Sequence, residues 1–157
     1  MKFADFVCFE ATIPALQAQD RNGVITELVA SLVKAGKLSA KSAAEIAKAV
    51  IKREDEASTG MGKGVAVPHV KHAAAKDVIA VIGQTDTGID FAALDEQPVY
   101  SVILLISPVD NADRHLQAME NLFRHLQKEK FRKFLRQCRA PEACEDLLKE
   151  ADENPSW

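Results

Sequence analysis

The nine residues Val99-Tyr100-Ser101-Val102-Ile103-Leu104-Leu105-Ile106-Ser107 constrain this chain more than any other stretch. The run is too short for a membrane span and is rich in β-branched and aromatic residues, which favours a strand. Pro108 and Asn111 end it. Its apolar residues do not alternate with polar ones. A strand of that kind sits inside a sheet covered on both faces. The segment from Val78 to Gln84 has the same character. The turns over 86–98 are too short for a helical crossover, so the sheet is expected to contain at least one antiparallel neighbour.

Two buried strands require helices to cover them. Apolar residues Ile25, Leu28, Val29 and Leu32 repeat with helical period over about Val24 to Ala35, with Asp20 or Asn22 as cap and Gly36 as stop. Ser39 caps a second helix, in which Ala43, Ile46, Ala47, Val50 and Ile51 keep the period. A long helix begins near Asn111 and runs to about Gln127, with Leu116, Met119, Leu122, Phe123 and Leu126 on its stripe. Shorter ones are expected over Glu129–Gln137 and Pro141–Lys149. Further strands are expected at Val7 to Ile13 and Val65 to Val67, and Thr87-Gly88-Ile89-Asp90 has turn chemistry. The pattern predicts an α/β fold, a three-layer sandwich with a mixed β-sheet flanked by helices on both faces. One domain over residues 1–150 and a frayed polar tail over 151–157 account for the 157 residues.

Composition removes several functions. A net charge of −3 gives no general nucleic-acid footprint. No secretory leader or membrane span is expected, so no stable membrane association is. Cys8, Cys138 and Cys144 lack CxxC spacing and read as idle thiols of a reducing, cytoplasmic setting. His69 and His72 lack the carboxylate or cysteine companions of a zinc set, and no metal is expected.

The remaining feature is Ser58-Thr59-Gly60-Met61-Gly62-Lys63-Gly64-Val65-Ala66-Val67-Pro68-His69, which holds three of the seven glycines within five residues. Glycines there allow a tight turn and exposed N–H groups, and Pro68 stiffens the approach to one imidazole. A helical wheel sets Arg53 in register with Ile46 and Val50 and His115 on the flank of the stripe at Met119. It points His125 toward solvent. Either cation or ring alone reads equally as a helix-end or boundary residue. The order Gly62-Lys63-Gly64-Val65 does not fit a nucleotide P-loop.

The segment 58–69 resembles the phosphorylation motif of enzyme IIA domains of the bacterial phosphotransferase system. The class is the fructose, mannitol and nitrogen-regulatory (type 2) one, and the chain is most like its nitrogen-regulatory members. Gly88-Ile89-Asp90-Phe91 through Asp95-Glu96-Gln97-Pro98-Val99 resembles the stretch before the family's central strand. Ile103 to Pro108 followed by His115-Leu116-Gln117 resembles that strand and the helix after it. Order and spacing agree over about residues 5–150. Val70 departs from the family, which often has Gly after the histidine.

The resemblance implies a phosphoryl carrier. His69 accepts the group from a phosphohistidine carrier protein, with Nε2 as nucleophile, while His115 and Arg53 stabilise the phosphate. Ser58, Thr59 and Gly60, with other N–H groups of the loop, are further candidates for phosphate contact. Nδ1 of His69 is expected to donate to a fixed acceptor, commonly a backbone carbonyl. Met61, Val65 and Val70 are expected to form an apolar docking collar, and His72 to be solvated. No cofactor is expected. The covalent phosphohistidine would place the protein with the transferases if it is counted as an enzyme. Its output is either regulation, through a partner protein that reads the phosphorylation state, or sugar transport through an enzyme IIB acceptor. A non-phosphorylated binding module and a metal hydrolase are the alternatives.

Overall fold

β5 (Val99–Ser107) forms the spine of the sheet in the computed structural model, which describes residues 1–154. β4 (Ile79–Ile89) lies antiparallel along one edge, with Val81 opposite Leu104 and Gly83 opposite Val102. The other edge carries two short parallel strands in succession. β2 (Val65–Ala66) sets Val65 against Ser101, and β3 (His69–Lys71) sets His69 against Leu105. The offset is the same in both, so they are one strand interrupted at Val67-Pro68. Pro68 has no N–H to give, but its carbonyl accepts from the Leu105 N–H at 2.9 Å. β1 (Gly60–Gly62) folds back antiparallel on β2. The sheet is therefore mixed.

Side chains of β5 alternate between two cores. Val102, Leu104 and Ile106 face a cluster with α1 (Arg21–Lys34) and α2 (Ala40–Glu56), in which Ile25, Leu28, Ile46 and Val50 are fully covered. Ile103 and Leu105 face Ala118 and Leu122 of α3 (Ala112–Leu126), with Leu135 of α4 (Glu129–Gln137) and Leu148 of α5 (Pro141–Glu153) in the same cluster. This is the expected three-layer α/β sandwich, and it explains why β5 has no polar side facing water. Asp20, Ser39 and Asn111 accept N–H bonds at the starts of α1, α2 and α3.

Four expectations are corrected. Residues 7–13 are not a strand: they contain the 3₁₀ turn Phe9–Ala11, preceded by another at Phe3–Asp5. The segment still occupies the outer edge of β4 through the single bridges Val7–Ala80 and Ile13–Gly83. Phe6, Val7 and Cys8 are all buried in succession, which a continuous extended strand was not needed to explain. Residues 87–89 are not a turn but the end of β4, where the pairing shifts between Gln84 and Ile89. Gly88 absorbs that bulge at φ 81°, where an added Cβ would lie 2.8 Å from the Cβ of Pro98.

His125 is buried rather than solvated. Its ring packs 4.7 Å from Phe3 and 5.3 Å from Phe131, and its Nδ1 lies 2.9 Å from the Asn121 carbonyl. The wheel located the main stripe of α3 but not the second face covered by α4 and the amino-terminal turn. α5 continues past Lys149 to Glu153 and buries Ala151. The remainder of the expected tail, residues 155–157, lies outside the described residues.

Candidate active site

Both candidate histidines project from elements attached to the C-terminal half of β5. β3 holds His69 against Leu105, and the turn after Ser107 leads into α3, where His115 occupies the first turn. The two rings lie 5.9 Å apart, centroid to centroid, inclined by 44°. His69 is half-buried. Its Nδ1 is 2.8 Å from the carbonyl of Val67. A carbonyl can only accept, so Nδ1 carries the proton and the Nε2 lone pair is left for a nucleophilic role.

His115 is 8% exposed, and its Nδ1 is 2.7 Å from the hydroxyl of Ser107, a fully buried residue. Burial, followed by the charges of His69 and Lys71, pushes the His115 pKa below the ordinary histidine value. The ring is therefore kept neutral near pH 7. A neutral ring can donate from Nε2 only if Nδ1 accepts from the Ser107 O–H, and the hydroxyl is placed to give it.

A hydrogen-bonded chain fixes the His69 ring from α2. The buried carboxylate of Glu54 accepts from the Thr59 N–H at 2.9 Å and from the Thr59 hydroxyl. The Thr59 carbonyl accepts from the Val67 N–H at 3.3 Å, and the Val67 carbonyl holds His69. Sequence reasoning missed Glu54, Ser107 and Lys71. Glu54 had a signal: it stands seven residues after Ala47 and four after Val50, both buried, and so belongs to the inward stripe of α2. Ser107 continues the β5 face of Ile103 and Leu105 by period two. Lys71 had no signal beyond its place after His69.

Arg53 is half-buried at the end of α2, and α2 packs against β3. Its Nη1 donates to the Ala57 carbonyl at 3.1 Å, and no hydrogen bond joins it to either imidazole among the described residues. Ser58 donates its hydroxyl to the Phe91 carbonyl and accepts from the Gly60 N–H at 3.0 Å. The donors expected from Ser58, Thr59 and Gly60 are thus engaged within the protein, Ser58 with Phe91, Thr59 with Glu54 of α2 and Gly60 with Ser58. Gly62, Lys63 and Gly64 adopt left-handed φ of 88°, 59° and 81° to close the β1–β2 turn. The Lys63 N–H then bonds to Asp95, which holds that carboxyl below the usual range. The glycines shape a hairpin upstream of His69.

Of the expected collar, Met61 and Val70 are half-buried, whereas Val65 is 2% exposed and belongs to the core. His72 is not solvated. Its Nδ1 accepts from the Ala74 N–H at 3.0 Å and its Nε2 lies 3.6 Å from Glu45. No helix of the described residues is long and apolar enough to cross a membrane.

The family described as phosphoenolpyruvate-dependent sugar phosphotransferase system, EIIA 2, matches residues 9–151. A nitrogen regulatory protein of Bradyrhizobium diazoefficiens is 32% identical over 148 residues, covering 94% of this chain and 95% of that protein. The fructose-specific EIIABC component of Bacillus subtilis strain 168 is 32% identical over 137 residues, 87% of this chain; the chain spans 21% of its length. Among solved structures, nitrogen regulatory protein IIA-Ntr from Neisseria meningitidis superposes with a TM-score of 0.83 at 23% identity, covering 93% of this chain and 98% of that one. The Escherichia coli complex of enzyme IIAMTL with phosphorylated enzyme IIBMTL gives 0.72 at 22% identity, over 90% and 95%.

Proposed function

Because the chain belongs to the EIIA 2 family of the phosphoenolpyruvate-dependent sugar phosphotransferase system, we propose that it is a phosphoryl carrier whose acceptor is Nε2 of His69. The observation that carries this reading is the bond from His69 Nδ1 to the Val67 carbonyl, which leaves Nε2 unprotonated on a half-exposed ring. In the transfer, the N–P bond of a phosphohistidine on the donor protein breaks as the Nε2 lone pair of His69 forms a new one. The donor nitrogen keeps the electron pair of the broken bond. Such transfer asks mainly for position and charge stabilisation.

Position comes from the Glu54–Thr59–Val67 chain. Charge stabilisation comes from His115, neutral and donating from Nε2, and from Lys71, which stands two residues from His69 and so on the same face of β3. Arg53 joins when its side chain leaves the Ala57 carbonyl, a rotation available to an arginine at a helix end. A phosphate on His69 adds negative charge at the β3 edge, and a partner protein can read that change.

The proposed output is regulation of a partner protein, supported by the likeness to a nitrogen regulatory protein over nearly both lengths. Equal identity to a fructose-specific component favours a second reading, in which the group passes on to an enzyme IIB.

The experiment is incubation with a phosphorylated histidine carrier, followed by alkaline mass mapping. Label on His69, absent from His69→Ala, is expected; label elsewhere refutes the assignment. Replacing His115 with Ala is expected to slow labelling while leaving the fold intact. Subsequent loss of label to a fructose-type enzyme IIB would select the transport reading over the regulatory one.

A further inference from the structure

A second charged feature lies away from the histidines. Between α4 and the Gly62–Gly64 turn is a groove of about 740 Å³, lined by Lys63, Arg132, Lys133, Arg136 and Arg139, with Glu129 as the acid among its lining residues. The chain as a whole has more acids than bases, so this concentration is local. Arg132 and Arg136 stand four residues apart on a nine-residue helix and Lys133 lies between them. Like charges at that spacing destabilise an isolated helix.

Three of these cations are held in place by the body of the protein. Arg132 donates from Nη1 to the Leu126 carbonyl at 2.7 Å. The Arg136 guanidinium lies 3.7 Å above the Tyr100 ring. Arg139 pairs with Asp86 at 2.6 Å. Each contact fixes a guanidinium while leaving N–H groups uncommitted, which lowers the entropy lost on binding an anion. α4 is itself fastened to the sheet: Gln84, fully buried, donates to the Leu135 carbonyl at 2.6 Å and accepts from Ser101. The groove is thus a concave array of five cations, accompanied by Glu129 in its lining, Asp86 on Arg139 and Asp95 on the Lys63 N–H.

We propose that this groove binds a compact polyphosphate anion, either free or carried by a nucleotide. Closely spaced phosphates match several fixed guanidinium forks at once, whereas a single orthophosphate engages one or two. The groove lies beside Tyr100, at the start of β5, and His69 pairs five residues further along, roughly 17 Å away at strand spacing. A ligand there leaves the His69 ring accessible. The inference is independent of the phosphoryl-carrier reading, because binding is measured without any donor protein.

The test is calorimetric titration of the full chain with inorganic triphosphate, adenosine triphosphate and orthophosphate, at about 50 mM and about 200 mM salt. Triphosphate is expected to bind one to one, at least about tenfold more tightly than orthophosphate, and to weaken with salt. Tighter binding of the nucleotide than of triphosphate identifies a nucleotide as the source; equal binding identifies free polyphosphate. The double variant Arg132→Gln/Arg136→Gln is expected to lose at least about tenfold in affinity. A second variant, Lys63→Asn/Lys133→Gln, leaves the anchored arginines and their packing intact and is expected to lose about threefold or more. Asn tolerates the left-handed φ at position 63. No binding below about 1 mM triphosphate, or unchanged affinity in both variants, overturns the proposal.

Discussion

Replacing Glu54 with Ala tests the chain that orients His69. Glu54 is 2% exposed and accepts both donors of Thr59, so truncation removes two hydrogen bonds to a carboxylate and leaves the Thr59 N–H facing a void. Bonds to charged groups contribute about 1.5–3 kcal/mol each, and a buried donor left without a partner costs about 1–3 kcal/mol. Thr59 is only half-buried, so water recovers part of that loss. A net destabilisation of about 2–4 kcal/mol follows. For a domain of this size each kcal/mol lowers Tm by about 2–4 °C, giving a drop of roughly 5–15 °C.

Glu54→Gln differs in kind. Its amide oxygen can accept from the Thr59 N–H while its NH₂ donates to the hydroxyl, so the loss is about 1 kcal/mol. Urea unfolding of the three proteins measures this directly, as shifts in midpoint at constant m. Phosphorylation of His69, followed in native buffer where all three are folded, is expected to slow about tenfold or more for the Ala variant and far less for Gln. An Ala variant within about 0.5 kcal/mol of the parent, or one that matches its labelling rate, would refute the reasoning.

Acid should destabilise the fold before its carboxylates titrate. Burial lowers the pKa of both His115 and His125 below the unfolded value of about 6.5, so the unfolded chain takes up protons first. Their contribution is complete above that value and is lost as pH falls through the lower folded values; the urea midpoint should therefore be lower at about pH 5 than at about pH 7.5. His125→Phe, placed between Phe3 and Phe131, should flatten this dependence, and an unchanged slope would remove His125 as its source. Gly88→Ala should cost about 1–3 kcal/mol or more, since it imposes a strained φ and a contact with Pro98; a change in midpoint near zero would show that the bulge relaxes freely.

The sequence by itself determined the layered architecture. Val99–Ser107 is apolar without alternation because water reaches neither face, and that property is written in residue type alone. The caps at Asp20, Ser39 and Asn111, and the extent of α4 at Glu129–Gln137, were equally local matters of side-chain chemistry. The inward flank position of His115 was legible from the wheel of its helix, whereas its place beside His69 came from the family resemblance and not from periodicity.

Tertiary structure alone decided what those flanks meet. The second covered face of α3, which takes in His125, exists only because α4 and the Phe3 turn fold over it. Residues 7–13 have strand-like composition, yet Phe9–Ala11 within them coils into a 3₁₀ turn while the segment still bridges to β4 at Val7 and Ile13. The Ser107–His115 contact joins a strand end to a helix start, and the link from Glu54 through Thr59 and Val67 to His69 joins a helix to a strand by hydrogen bonds between groups that only the fold brings together. Such bonds depend on distances of a few ångströms between elements, and no periodicity along a chain encodes those.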